Sequence, residues 1–127
     1  VLELRGFKVV SSDLYDRGYG DSNMDFLHAE CACDAIITNP PFRLASNFIE
    51  RSVQKKVPFA MLTKSTYWHA EKRRRLFTDT GPMAVMAMTW RPAMSPERGQ
   101  SATMDFIWTV WSDKPRKETK YIVERKP

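Results

Sequence analysis

Cysteine and histidine are scarce: the 127-residue chain has two of each. Cys31 and Cys33 are one residue apart, a spacing that strains a disulfide, and no other cysteine or histidine pair completes a zinc set. His28 and His69 stand alone. This predicts two reduced thiols and no metal, as in a protein of a reducing compartment. Long apolar runs are also missing. No stretch of 18 apolar residues occurs, so no membrane span is expected. Residues 1–12 mix charged with apolar side chains and do not read as a secretory leader. A cytoplasmic location follows as the expectation. There is no internal repeat, and the length suits a single domain spanning 1–127.

Positive charge, by contrast, is concentrated. The net charge is +5, but residues 1–42 carry three Lys/Arg against seven Asp/Glu, and residues 43–75 carry nine against two. A basic zone of this kind suits a polyphosphate partner; it also suits a plain solvated helix face.

Hydrophobic patterning sets the order of elements. Residues 7–13 (FKVVSSD) read as a short strand ending in an acid, and 14–25 as a loop. Residues 34–38 (DAIIT) resemble a buried parallel strand. A stripe at Ala45, Phe48, Ile49, Ser52 and Val53 follows a helical spacing over 45–56. A strand over 58–63, a polar helix over 70–79 and strands over 83–90 and 103–111 complete the pattern, with a loop at 91–102 and a charged tail from Asp113. Strand–helix alternation predicts an α/β fold: a mostly parallel sheet with helices on both faces, closed by a C-terminal antiparallel hairpin at the sheet edge.

The chemistry-bearing segment is Asn39-Pro40-Pro41-Phe42, directly after the apolar strand. Ligands of open α/β sheets bind beyond the carboxyl ends of strands. The two prolines fix φ, lack N–H groups and keep the preceding residues extended. Asn39 Oδ1 and the Pro40 carbonyl can then accept both hydrogens of one planar amino group, drawing its lone pair out of ring conjugation. Phe42 offers a face for the ring that bears the amine. The alternative is a diproline turn that only ends a strand.

Thr38-Asn39-Pro40-Pro41-Phe42 resembles the catalytic signature of S-adenosylmethionine-dependent amino-methyltransferases, the N6-adenine DNA methyltransferases in particular. Ser12-Asp13, Asp16-Arg17-Gly18-Tyr19-Gly20, Asp25-Phe26-Leu27, the basic run Arg73–Phe77 and the Trp-containing strand Phe106–Trp111 are similar to small phage- and prophage-borne members. The resemblance implies a Rossmann-like methyltransferase fold and S-adenosylmethionine as methyl donor. It implies that Asp13 holds the cofactor ribose, and that Asp25 and Phe26 hold its adenine. Arg43, Lys64, Lys72, Arg73, Arg74 and Arg75 are candidates for phosphate contact, and Tyr67 and Trp68 for lining a flipped-base pocket or for core packing.

The family's first strand and Gly-rich cofactor turn have no counterpart here; Gly18 and Gly20 follow Asp13. The domain therefore reads as N-terminally truncated, and a homo-oligomer through exposed strand edges is expected. With no room for a sequence-reading domain, base specificity is expected to be low. Three functions stay open: methylation of adenine N6 in DNA, methylation of an RNA base or protein glutamine, and an inactive remnant that keeps nucleic-acid binding.

Overall fold

The structure is a computed structural model that describes residues 2–30, 32–92 and 104–126. Cys31, Thr103 and most of the 91–102 loop lie outside the described residues. The chain forms two compact units, 1–32 and 33–127.

The first unit contains little regular structure. A 3-10 turn at Glu3–Arg5 ends on Gly6 in the left-handed region. Among the described residues, the strand expected over 7–13 does not form, and an isolated bridge joins Ser12 to Asp21. Valine and phenylalanine favour extended backbone, but a strand needs a ladder partner, and here a single bridge is all it finds. Turns hold the rest. The Asp21 amide donates to the Ser11 carbonyl (2.8 Å) and the Asp13 amide to the Asp21 carbonyl (2.9 Å). Gly20, at φ 75°, lies so close to Ser11 that an added Cβ would sit 2.5 Å from its carbonyl oxygen. No residue of this unit is buried among those described.

The second unit is a small α/β domain. Its elements in chain order are β1 (Ile36–Thr38), α1 (Ala45–Lys55), β2 (Phe59–Lys64), α2 (Arg74–Thr80), β3 (Ala84–Met88), β4 (Phe106–Trp111) and β5 (Lys120–Glu124). The mixed sheet has the order β1-β2-β4-β3-β5. β1 pairs with β2 and β3 with β5 in parallel, while β4 runs antiparallel to both of its neighbours. Four strands thus point one way and β4 alone points back.

Two corrections to the expected sheet follow. β3 and β4 do pair antiparallel, but neither forms the edge: β4 is wedged between β2 and β3, and β5 lies outside β3. β5 comes from the charged tail, where no strand was expected. Lys and Glu bracket its Tyr-Ile-Val core, which masks a run of good strand formers.

Burial explains the element pattern. β2 is fully buried at Phe59, Met61, Leu62 and Thr63, as expected for an internal strand. Phe59 stacks on its ladder partner Trp111 with centroids 4.6 Å apart. Trp111 is 2% exposed, and its Nε1–H donates to Thr80 Oγ1 (3.0 Å) at the end of α2. α1 turns Ala45, Ile49 and Ser52 to the core, matching the 3.6-residue period. α2 ends on Gly81 at φ 52°, whose amide donates to the Phe77 carbonyl (3.0 Å).

Candidate functional site

β1 and β2 are parallel, so their carboxyl ends share one edge of the sheet; β4, running back, brings its first residue to the same edge. There the ladder ends with Lys64 beside Phe106. The Ser65 amide donates to the Asp105 carbonyl (2.9 Å). This edge is where Asn39–Phe42 leave β1.

Pro40 is buried, while Asn39, Pro41 and Phe42 are exposed. The Pro41 carbonyl accepts from the Leu44 amide (2.8 Å), which folds the chain into the first turn before α1. Among the described residues, nothing bonds the Asn39 side chain or the Pro40 carbonyl. Asn39 therefore offers an exposed acceptor beside a Pro40 carbonyl that has no donor among the described residues.

Phe42 is 40% exposed and its ring is already engaged. Phe106 lies against it with centroids 6.1 Å apart and planes tilted by 35°. Lys64 Nζ sits over the ring, 4.5 Å from its centroid, in a cation–π contact. The structure thus brings Lys64 onto Phe42. A flat ring stacking on this side would have to displace the ammonium group.

The other predicted basic residues differ from one another. Arg43 is exposed beside Phe42 in sequence. Arg73 lies over the Tyr67 ring at 4.0 Å and donates to the Tyr67 carbonyl. Arg74 pairs with Glu71 at 2.8 Å. Lys72, Arg73 and Arg75 line an open depression of about 350 Å³, but Glu50 and Asp79 line it too, so its field is mixed. Lys64 is thus the cation seated on the ring of the Asn-Pro-Pro-Phe corner.

Tyr67 and Trp68 serve packing. Tyr67 is buried and its hydroxyl shares a 2.6 Å hydrogen bond with Ser46 Oγ. Trp68 stacks on Phe77 (3.9 Å), and its Nε1–H donates to Thr109 Oγ1 (3.1 Å). Both link the segment after β2 to α1, α2 and β4.

The residues expected to hold the cofactor belong to the first unit. Asp13 Oδ1 accepts from the Tyr15 amide (2.9 Å), and its Oδ2 lies 3.6 Å from Arg17 Nε. The second oxygen is only loosely engaged and partly exposed, so it could accept from a ribose hydroxyl. Asp25 is more fully committed. Its Oδ1 accepts from the Leu27 amide (3.0 Å) and its Oδ2 is 2.8 Å from His28 Nδ1. The His28 hydrogen bond, helped by that of Leu27, holds the Asp25 carboxyl below its ordinary value. An adenine amino group would have to compete with His28 for this acid. Phe26 is half-buried.

Among the described residues no cluster could hold a metal ion, and no helix is long and apolar enough to cross a membrane. No protein-family model matches the chain, and neither does any curated protein sequence.

Proposed function

We propose that this chain is an S-adenosylmethionine-dependent amino-methyltransferase of Rossmann-like fold, acting on adenine N6 in DNA with low sequence specificity. The observation that carries the reading is the Asn39–Phe42 corner: two unbonded oxygen acceptors and an exposed aromatic ring at the carboxyl end of a sheet strand. Asn39 Oδ1 and the Pro40 carbonyl would each accept one hydrogen of the amino group, orienting its nitrogen toward the methyl donor. Phe42 would stack on the base. Lys64 would move off the ring as the base arrives, which frees its charge for a neighbouring phosphate. Bound S-adenosylmethionine would supply the electrophilic methyl group; within the first unit, Asp13 keeps a loosely engaged carboxylate oxygen suited to a ribose hydroxyl.

The test is methylation of adenine-containing DNA with labelled cofactor. Asn39→Ala should lower the rate by about a hundredfold or more if this acceptor orients the nucleophile, on the scale of other oriented polar groups in catalysis. Unchanged methylation in a folded Asn39→Ala protein overturns the role.

A second reading is favoured by the engaged state of Asp25 and Phe42: an inactive relative that binds nucleic acid without methylating it. Calorimetry separates the two. Heat on adding S-adenosylmethionine supports the enzyme; none at about 1 mM, near the weakest affinity such a titration resolves, supports the inactive form.

A further inference from the structure

β5 ends the sheet, and its outer side has no ladder partner among the described residues. We infer that this edge joins two copies of the chain, β5 against β5, antiparallel about a two-fold axis at Ile122. Main-chain geometry comes first. The Lys120 amide donates to the Met83 carbonyl (2.9 Å) and the Glu124 carbonyl accepts from Thr89 (3.0 Å). Alternation along a strand then points the Lys120, Ile122 and Glu124 main chain at β3, and leaves the amides and carbonyls of Tyr121 and Val123 facing outward. In the Ile122-centred register, Tyr121 of one copy faces Val123 of the other. Both carry outward groups, so each such pair closes two hydrogen bonds.

The side chains match in the same register. Lys120 meets Glu124 of the second copy, twice by symmetry, and Ile122 meets Ile122 between those two ion pairs. On the other face Tyr121 and Val123 of both copies form one apolar cluster. These are exposed as the chain stands: Tyr121 by 71%, Val123 by 58% and Ile122 by 37%. Cross-strand aromatic–β-branched and opposite-charge pairs are the stabilising units of antiparallel ladders.

Neighbouring registers are penalised. A two-fold at Tyr121 sets Glu118 against Glu124, and one at Val123 sets Lys120 against Lys126. The order Lys-Tyr-Ile-Val-Glu is thus complementary to itself in one register only. The sheet would continue through both copies and hide the edge that each exposes alone.

Sedimentation equilibrium of the full chain tests this. The wild type should show concentration-dependent dimers. Lys120→Glu and Glu124→Lys turn both ion pairs repulsive, and each should weaken association by about tenfold or more. An equimolar mixture of the two variants restores opposite charges at both pairs and should dimerise like the wild type to within about threefold. Circular dichroism checks that each variant folds. If either reversal unfolds the chain, Glu124→Gln replaces it and should weaken the dimer by about threefold. A wild type that stays monomeric to about 1 mM, single variants that dimerise unchanged, or a mixture no better than its components each overturn the proposal.

Discussion

The two units are held by different forces. Every buried residue among those described belongs to the second, where Phe59, Met61 and Leu62 of β2 and Phe106 and Trp111 of β4 are buried in neighbouring strands. The first has no buried residue, and its turns are closed by carboxylates: Asp13 to Tyr15, Asp16 to Gly18 and Asp25 to Leu27. Acids in such positions imitate a backbone turn with their side chains. One unit therefore depends on apolar area, while the other depends on charge and local geometry.

The largest expected effect breaks the apolar side of this contrast. Trp111→Ala removes the Phe59 stack and the bond to Thr80, and should cost about 3–5 kcal/mol in chemical denaturation. A loss below about 1 kcal/mol would show that the sheet does not rest on this pair. Next comes Gly81→Ala. Gly81 sits at φ 52°, and a Cβ there would lie 2.5 Å from the Arg116 carbonyl oxygen. Strain and clash together should cost about 1–3 kcal/mol, and the amide signals of 113–124 should shift most.

Acid should separate the units. A carboxyl held below its ordinary 3.8 stabilises its turn at pH values above that figure, and the contribution fades as pH falls through the lower folded value. Amide signals of Leu27 and His28 should therefore change below about pH 4 while those of β2 and β4 hold, and Asp25→Asn should remove the transition. Simultaneous loss in both units would erase the distinction. The smallest effect is expected at Thr63. Its hydroxyl is buried with no partner among the described residues, so Thr63→Val should be neutral or stabilise by up to about 1 kcal/mol.

Legibility in the sequence followed the same division. The helix expected over 45–56 is α1 at Ala45–Lys55, and the strand expected over 58–63 is β2 at Phe59–Lys64. Both pack an apolar face, and packing is what periodicity reports. The polar helix expected over 70–79 starts late: Glu71–Arg73 form a 3-10 turn before α2. The strand over 7–13 failed because propensity cannot supply a partner. β5 was hidden by its flanking charges, although Tyr121-Ile122-Val123 was the available signal. At the site, the position of Asn39–Phe42 just after a strand was readable from the apolar run that precedes them. The Lys64–Phe42 contact was not, because it depends on the β1–β2 register and on the last residue of β2.

The reversed strand has a consequence for synthesis. β4 supplies the ladder for β2 on one side and β3 on the other, yet it is made after both. Until residues 106–111 leave the ribosome, two nascent strands each keep an edge of unpaired main-chain amides and carbonyls, so maturation waits for late, long-range pairing. Refolding should accordingly be slow for a domain of this size, with the fluorescence of Trp108 and Trp111 reporting the insertion of β4.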